Sequence, residues 1–152
     1  MLNKLNEFLS TIIAPAGTDG RAEHTLQLAT AVLLIEVMRS DAESTNEEQA
    51  TILKILKERF ALADAEVAQL AELGHHTATA ANDLYQFTSL INRELQYAEK
   101  IRIIEYLWQV AYADNRISAH ESHVLRKIAD LLYVAHRDYI GAKLRAKQAG
   151  QE

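Results

Sequence analysis

The chain has no cysteine, one proline and five glycines in 152 residues, and aromatic side chains make up only 7% of it. Without cysteine there is no disulfide, no thiolate zinc site and no cysteine nucleophile. Scarcity of proline and glycine leaves few backbone breaks, and the abundance of Ala, Leu, Glu and Lys predicts an all-α protein. No apolar run of about 18 residues occurs. The amino-terminal segment carries Lys4 and Glu7 inside its apolar pattern. The sequence therefore supports neither a membrane span nor a signal peptide, and the cytoplasm is the expected location. Positive charge is also in deficit, with 16 Lys and Arg against 21 Asp and Glu, a net charge of −5. That balance argues against a nucleic-acid partner and favours a cationic ligand. Neither a glycine-rich phosphate loop nor a Ser-His-Asp order is present.

At 152 residues and 49% hydrophobic content, one domain spanning 1–152 can bury a sizeable core. Leu2, Leu5, Phe8, Leu9, Ile12 and Ile13 recur at helical spacing and predict an amphipathic helix over about 2–13 that stops before Pro15. Residues 16–20 read as a loop, with Thr18 or Asp19 capping a helix from about Ala22 to Arg39. Leu26, Ala29, Leu33 and Val37 form one stripe of that helix and Leu34 and Ile35 widen it, which makes it central. A helix over about 46–61 follows. A shorter one is expected to be capped by Asp64 and to end at Gly74, with His75 to Thr79 as a midpoint loop. Further helices are marked by Leu84, Phe87 and Ile91, by Ile101, Ile104, Leu107 and Trp108 after a break near 96–98, by Val124, Leu125 and Ile128, and by Ile140 and Leu144. Trp108 reads as core.

The chain also repeats itself. Leu34 to Asp41 is answered by Leu107 to Asp114, 73 positions later, and Thr45 and Glu48 are answered by Ser118 and Glu121. Ile52, Ile55 and Phe60 then match Leu125, Ile128 and Tyr133. Each copy reads as apolar helix, acidic turn and second helix. The expected architecture is a compact bundle of seven to eight helices built from two pseudo-symmetric helix-turn-helix repeats, with a core over about 22–145.

In each copy an acid closes one helix and a glutamate stands on the first turn of the next, in the S/T-x-x-E arrangement of a capping box. A cap contributes about 0.5–2 kcal/mol, enough to account for Glu48 and Glu121 without any ligand. Asp41 and Asp114 are not needed as caps. Should the two corners converge, carboxylates about 5 Å apart would repel by roughly 3 kcal/mol at an effective dielectric near 20, and a divalent cation would remove that cost. Oxygen donors alone suit Ca²⁺ or Mg²⁺, whereas recruitment of His120 would favour Zn²⁺. Two separated, solvated and merely capped corners are the competing geometry. His120, Glu121 and His123 miss the H-E-x-x-H zinc spacing by one residue, so His120 and His123 read as surface histidines, as do His75 and His76 in the midpoint loop. Arg137, Lys143, Arg145 and Lys147 make the last helix basic, which favourable charge at a helix C-terminus explains for the most part, an acidic partner or a lipid headgroup being the alternative.

An apolar helix ending in Ala113-Asp114, a turn, and Glu121 seven residues after the acid resembles the TerB family, named for tellurite resistance. The resemblance spans roughly residues 22–145 and is strongest from Val110 to Ile128. Where that family carries Asp-Gly, this chain has Asp114-Asn115 and Asp41-Ala42. Asn tolerates the turn conformation that Gly favours and Ala does not, so the second copy fits the pattern better. The resemblance implies about seven helices in pseudo-two-fold halves and a divalent metal held at the matching positions Asp41, Glu48, Asp114 and Glu121. It further implies a non-enzymatic role with protein partners in stress-linked or tellurite-linked complexes, peripheral to membranes. With no cysteine and two methionines, direct handling of tellurium by thiolates is excluded. The alternatives are a metal-free interaction scaffold and a metal-dependent hydrolase, for which no nucleophile or general base can be placed.

Overall fold

The computed structural model describes residues 19–41, 45–114 and 117–149. The expected helix over 2–13, the cap at Thr18, and the turn residues Ala42 and Asn115 lie outside the described residues. Seven helices follow in order: α1 Asp19–Arg39, α2 Asn46–Phe60, α3 Asp64–Ala80, α4 Tyr85–Glu94, α5 Tyr97–Tyr112, α6 Ala119–Leu131 and α7 His136–Ala149. They form an all-α bundle with no strand among the described residues, and none is long and apolar enough to cross a membrane.

Helix α1 is the axis of the bundle. Val32, Leu33, Leu34, Ile35 and Val37 are fully buried, because α2, α3, α4, α5 and α6 all pack against it. An element surrounded in this way is apolar around most of its circumference instead of along one stripe. It begins at Asp19, three residues before the expected start, so Asp19 and Gly20 belong to the helix and not to a loop. Opposite it, α5 buries Ile104, Leu107, Trp108, Val110 and Ala111, and Trp108 is core as expected, 1% exposed. The outermost element, α7, packs chiefly on α5. It is joined there by Tyr139, whose ring lies 5.3 Å from that of Trp108, and by Lys143, whose Nζ stands 5.1 Å above the indole.

The helix expected to stop at Gly74 continues to Ala80. Gly74 does not adopt a left-handed conformation. It is glycine because a Cβ there would lie 2.7 Å from Ile35 Cδ1 and 3.3 Å from Ala31 Cβ, so it sets a close crossing of α3 over α1. Hydroxyls of Thr77 and Thr79 donate to the carbonyls of Leu73 and His75 at 2.8 Å, tolerated within a helix. The midpoint loop is consequently helical, and His75 is half-buried with Nε2 3.2 Å from Gln49 Oε1. Burial, followed by the nearby Arg39 charge, holds its pKa below the usual histidine value. Asp64 is the first residue of α3 and not its cap. Glu66 serves instead, accepting the Ala63 N–H at 3.0 Å.

The break before α5 falls at Leu95 and Gln96, one residue earlier than expected. Helices α2 and α6 both end with a non-glycine residue in the left-handed region, Ala61 at φ 52° and Tyr133 at φ 58°. In each, an N–H one residue further on reaches back into the last turn, Leu62 to Lys57 O at 3.1 Å and Val134 to Ala129 O at 3.0 Å, the Schellman arrangement.

Candidate metal centre

Two helix-to-helix corners build the site. At the first, α1 ends at Arg39, the Ser40 hydroxyl donates to Val37 O at 2.6 Å, and the Asp41 N–H donates to Met38 O at 3.2 Å. Thr45 then caps α2. Its hydroxyl accepts the Glu48 N–H at 3.2 Å, while Glu48 Oε1 accepts the Thr45 N–H at 3.0 Å. The second corner repeats this with other residues. Ala113 N–H donates to Val110 O at 3.2 Å, Asp114 follows, and Ser118 caps α6. Ser118 Oγ accepts the Glu121 N–H at 3.0 Å and Glu121 Oε1 accepts the Ser118 N–H at 3.1 Å. Both capping boxes expected from the S/T-x-x-E spacing are therefore formed.

The corners converge. One carboxylate oxygen from each of Asp41, Glu48 and Asp114 lies within 4.8 Å of the other two. Asp41 and Asp114 are half-buried, and Glu48 and Glu121 are fully buried. Glu121, the fourth acid expected from the sequence, is not one of that triple; its carboxyl lies within hydrogen-bonding reach of that of Glu48. Neither histidine on the first turns of α6 joins it. His120 and His123 are exposed, as expected of surface residues.

Each glutamate uses its two oxygens differently. Oε1 satisfies the helix cap. Oε2 of Glu48 and Oε2 of Glu121 are buried and receive no hydrogen bond from any donor of the protein. Two facing carboxylates are acceptors only, so the proton that would let one donate to the other has to be taken from solvent. Burial is the main reason that both carboxyls are shifted upward. Glu121 is pushed up to about 8, with the facing Glu48 and the nearby Asp41 adding to the effect. Glu48 is also raised, by burial first and by the charges of Asp114 and Asp41, against the lowering pull of its bond to Thr45.

The aspartates add a second electrostatic cost. Asp41 and Asp114 each stand just past the C-terminal end of a helix, where the macrodipole presents negative charge and favours cations. Carboxylates within 4.8 Å of each other repel by about 3 kcal/mol per ionised pair at an effective dielectric near 20. A divalent cation fits what these residues offer. The donor set is all carboxylate, the hard-oxygen chemistry that Ca²⁺, Mg²⁺ and Mn²⁺ prefer. With each Oε1 held by a cap, the glutamates offer one free oxygen apiece.

The spacing in the sequence pointed to all four acids. What it did not contain is that Glu48 and Glu121 face one another, since both are equally well explained as caps. Full burial of a residue type that is almost never fully buried unless paired is the signal that separates the two cases, and it is visible only in the folded chain.

A family model described as tellurite resistance protein TerB matches residues 27–144, a stretch that contains both corners and all four acids. No curated protein and no solved structure matches the chain.

Proposed function

The chain belongs to the TerB family, and from that footing we propose that it is a non-enzymatic module that binds one divalent cation between its two acidic corners. The ligands in this reading are Asp41, Glu48 and Asp114, with Glu121 completing the shell through its free oxygen. The cation would neutralise the clustered charge and tie the ends of α1 and α5 to the starts of α2 and α6. A single arrangement of these four helices would thereby be stabilised for a protein partner in a tellurite-linked or stress-linked assembly. The observation that carries this reading is the pair of buried glutamate oxygens without a donor, set beside two aspartates at helix C-termini. Caps explain the other two oxygens and leave these unaccounted for.

Titration calorimetry with Ca²⁺, Mg²⁺, Mn²⁺ and Zn²⁺ tests it. At least one hard divalent ion binds the parent chain at one site, Zn²⁺ shows no preference over it, and Asp114→Ala abolishes binding. Equal binding by Asp114→Ala, or none by the parent, defeats the proposal.

One alternative has an observation of its own. Both capping boxes are fully formed, which is what a metal-free interaction scaffold requires. On that reading Glu48 and Glu121 share a proton in place of a metal, and no divalent ion changes the melting temperature.

A further inference from the structure

Helix α7 is held differently from the rest of the bundle. Among the described residues every other helix packs in depth against two or more neighbours, whereas α7 packs in depth against α5 alone. The side chains it buries are few and small. Tyr139 is the largest, Ala142 and Ala146 complete the buried face, and Ile140 is half-buried at its margin. By comparison, α1 encloses five branched aliphatic side chains. Burial of apolar area is the main force that seats one element on another, so α7 is the helix that the fold holds least firmly.

Two features of the seam between α5 and α7 oppose docking. Trp108 lies under α7, against Tyr139 and Lys143, and its buried indole N–H has no hydrogen-bond partner in the protein. A buried donor left unpaired penalises the closed arrangement. The connection from α6 is the second feature. It consists of residues 132–135, and Tyr133 stands in it at φ 58°, a left-handed conformation unfavourable for a bulky residue. The Tyr133 side chain is 75% exposed, so no side-chain packing offsets that strain, and straightening the connection removes it.

What fastens the start of α7 comes from α5. Ala135, just before the first residue of α7, has no side chain with which to cap it. Tyr97 reaches across instead, its hydroxyl accepting the Ala135 N–H at 2.9 Å and donating to Asp138 Oδ2 at 2.6 Å. One phenol thus links the two positions that a capping box joins within a single segment. Farther along, Arg145 pairs with Glu105 at 3.0 Å, a solvent-screened contact that contributes little.

We propose that α7 is a hinged strap, which lifts from α5 as one unit about Tyr133 while α1 to α6 stay folded, and that the Tyr97 hydroxyl is its latch. Lifting bares Trp108 and the surface of α5 around it, and water then reaches the indole N–H. The strap is separate from the acidic centre, because α7 supplies none of the four acids.

Hydrogen–deuterium exchange read by mass spectrometry tests this on the full chain, in chelator and at graded urea below the unfolding transition. Peptides of α7 exchange together, through an opening that urea promotes and that is at least about tenfold more populated than the opening of α1. Tyr97→Phe keeps the ring and removes the hydroxyl. It raises α7 exchange by about three- to tenfold and leaves that of α1 unchanged. Tyr133→Gly removes the left-handed strain and slows α7 exchange about threefold or more. The proposal is overturned if α7 and α1 are equally protected, or if exchange is graded inward from Ala149 and indifferent to urea, which is fraying of a chain end. It is also overturned if Tyr97→Phe raises exchange in α1 and α7 alike, or if Tyr133→Gly fails to slow α7. No divalent cation is present in this experiment, so its failure and the failure of cation binding are distinct.

Discussion

Replacing Glu121 by glutamine separates the work of its two oxygens. The amide keeps an acceptor for the Ser118 N–H that Oε1 now receives at 3.1 Å, and it supplies a donor toward Glu48, whose Oε2 has none. The negative charge is removed. In the folded parent this carboxyl titrates near 8, against 4.5 for the ordinary group. Because the folded-state value is the higher one, the unfolded chain gives up its proton first as pH rises. The contribution to stability is whole below about pH 4.5 and is lost progressively as pH climbs through 8. At 1.36 kcal/mol per pH unit the loss is at most about 5 kcal/mol, and water reaching the half-exposed Asp41 and Asp114 reduces it to roughly 2–4 kcal/mol. Urea unfolding in the presence of a chelator reads this directly. The parent loses stability between pH 5 and pH 8.5. Glu121→Gln loses much less, and at pH 8.5 it is the more stable protein by roughly 2–4 kcal/mol. With a saturating divalent cation the order reverses, because the parent gains binding energy that the amide cannot supply. A parent whose chelated stability is flat over that range, or a glutamine variant no more stable than it at pH 8.5, would refute the account of a strained, desolvated charge.

Further substitutions probe the frame around the centre. Gly74→Ala inserts a methyl against Ile35 Cδ1, and overpacking of about 1–3 kcal/mol outweighs a helix-propensity gain of about 1 kcal/mol. The variant therefore unfolds at lower urea, and adding Ile35→Val restores part of the loss; a stabilised Gly74→Ala would show that the crossing is loose. Thr45→Ala and Ser118→Ala each remove one cap and cost about 1 kcal/mol in chelator. Both also lower cation affinity in calorimetry, because Glu48 and Glu121 lose the partner that orients them; unchanged affinity in both would mean that the caps do not position the ligands.

Much of this molecule was legible in its sequence, and what escaped did so for local reasons. The helical class, the central and widely apolar α1, and the two capping boxes follow from periodicity and from the Thr45, Glu48, Ser118 and Glu121 spacing, which are short-range properties. Gly74 misled because glycine has two uses, one conformational and one steric. Nothing in the neighbouring residues reveals that Ala31 and Ile35, some forty positions away, need the space. With the helix running on past Gly74, His75 and His76 are helical and not part of a loop. Convergence of Asp41, Glu48 and Asp114 depends on how α1, α2, α5 and α6 pack, a long-range matter that the repeat of acids suggested but could not contain.

The two oxygens of each glutamate carry different energetic consequences. A cap needs one oxygen and can be provided by many residue types at the surface, as Glu66 does for α3 with its side chain in solvent. Glu48 and Glu121 make the same kind of bond while fully buried. Burial makes the second oxygen of each a liability of a few kcal/mol when it is ionised and unpaired. Threonine or serine at the cap with alanine three residues later would keep half of each box and remove both liabilities. The chain instead places two more acids, Asp41 and Asp114, just past the adjoining helix C-termini, where each adds negative charge to the corner. Helix stability alone does not account for that combination. On the proposed reading a bound cation would offset these costs together, because the carboxylates that repel one another in the metal-free corner would become its ligands.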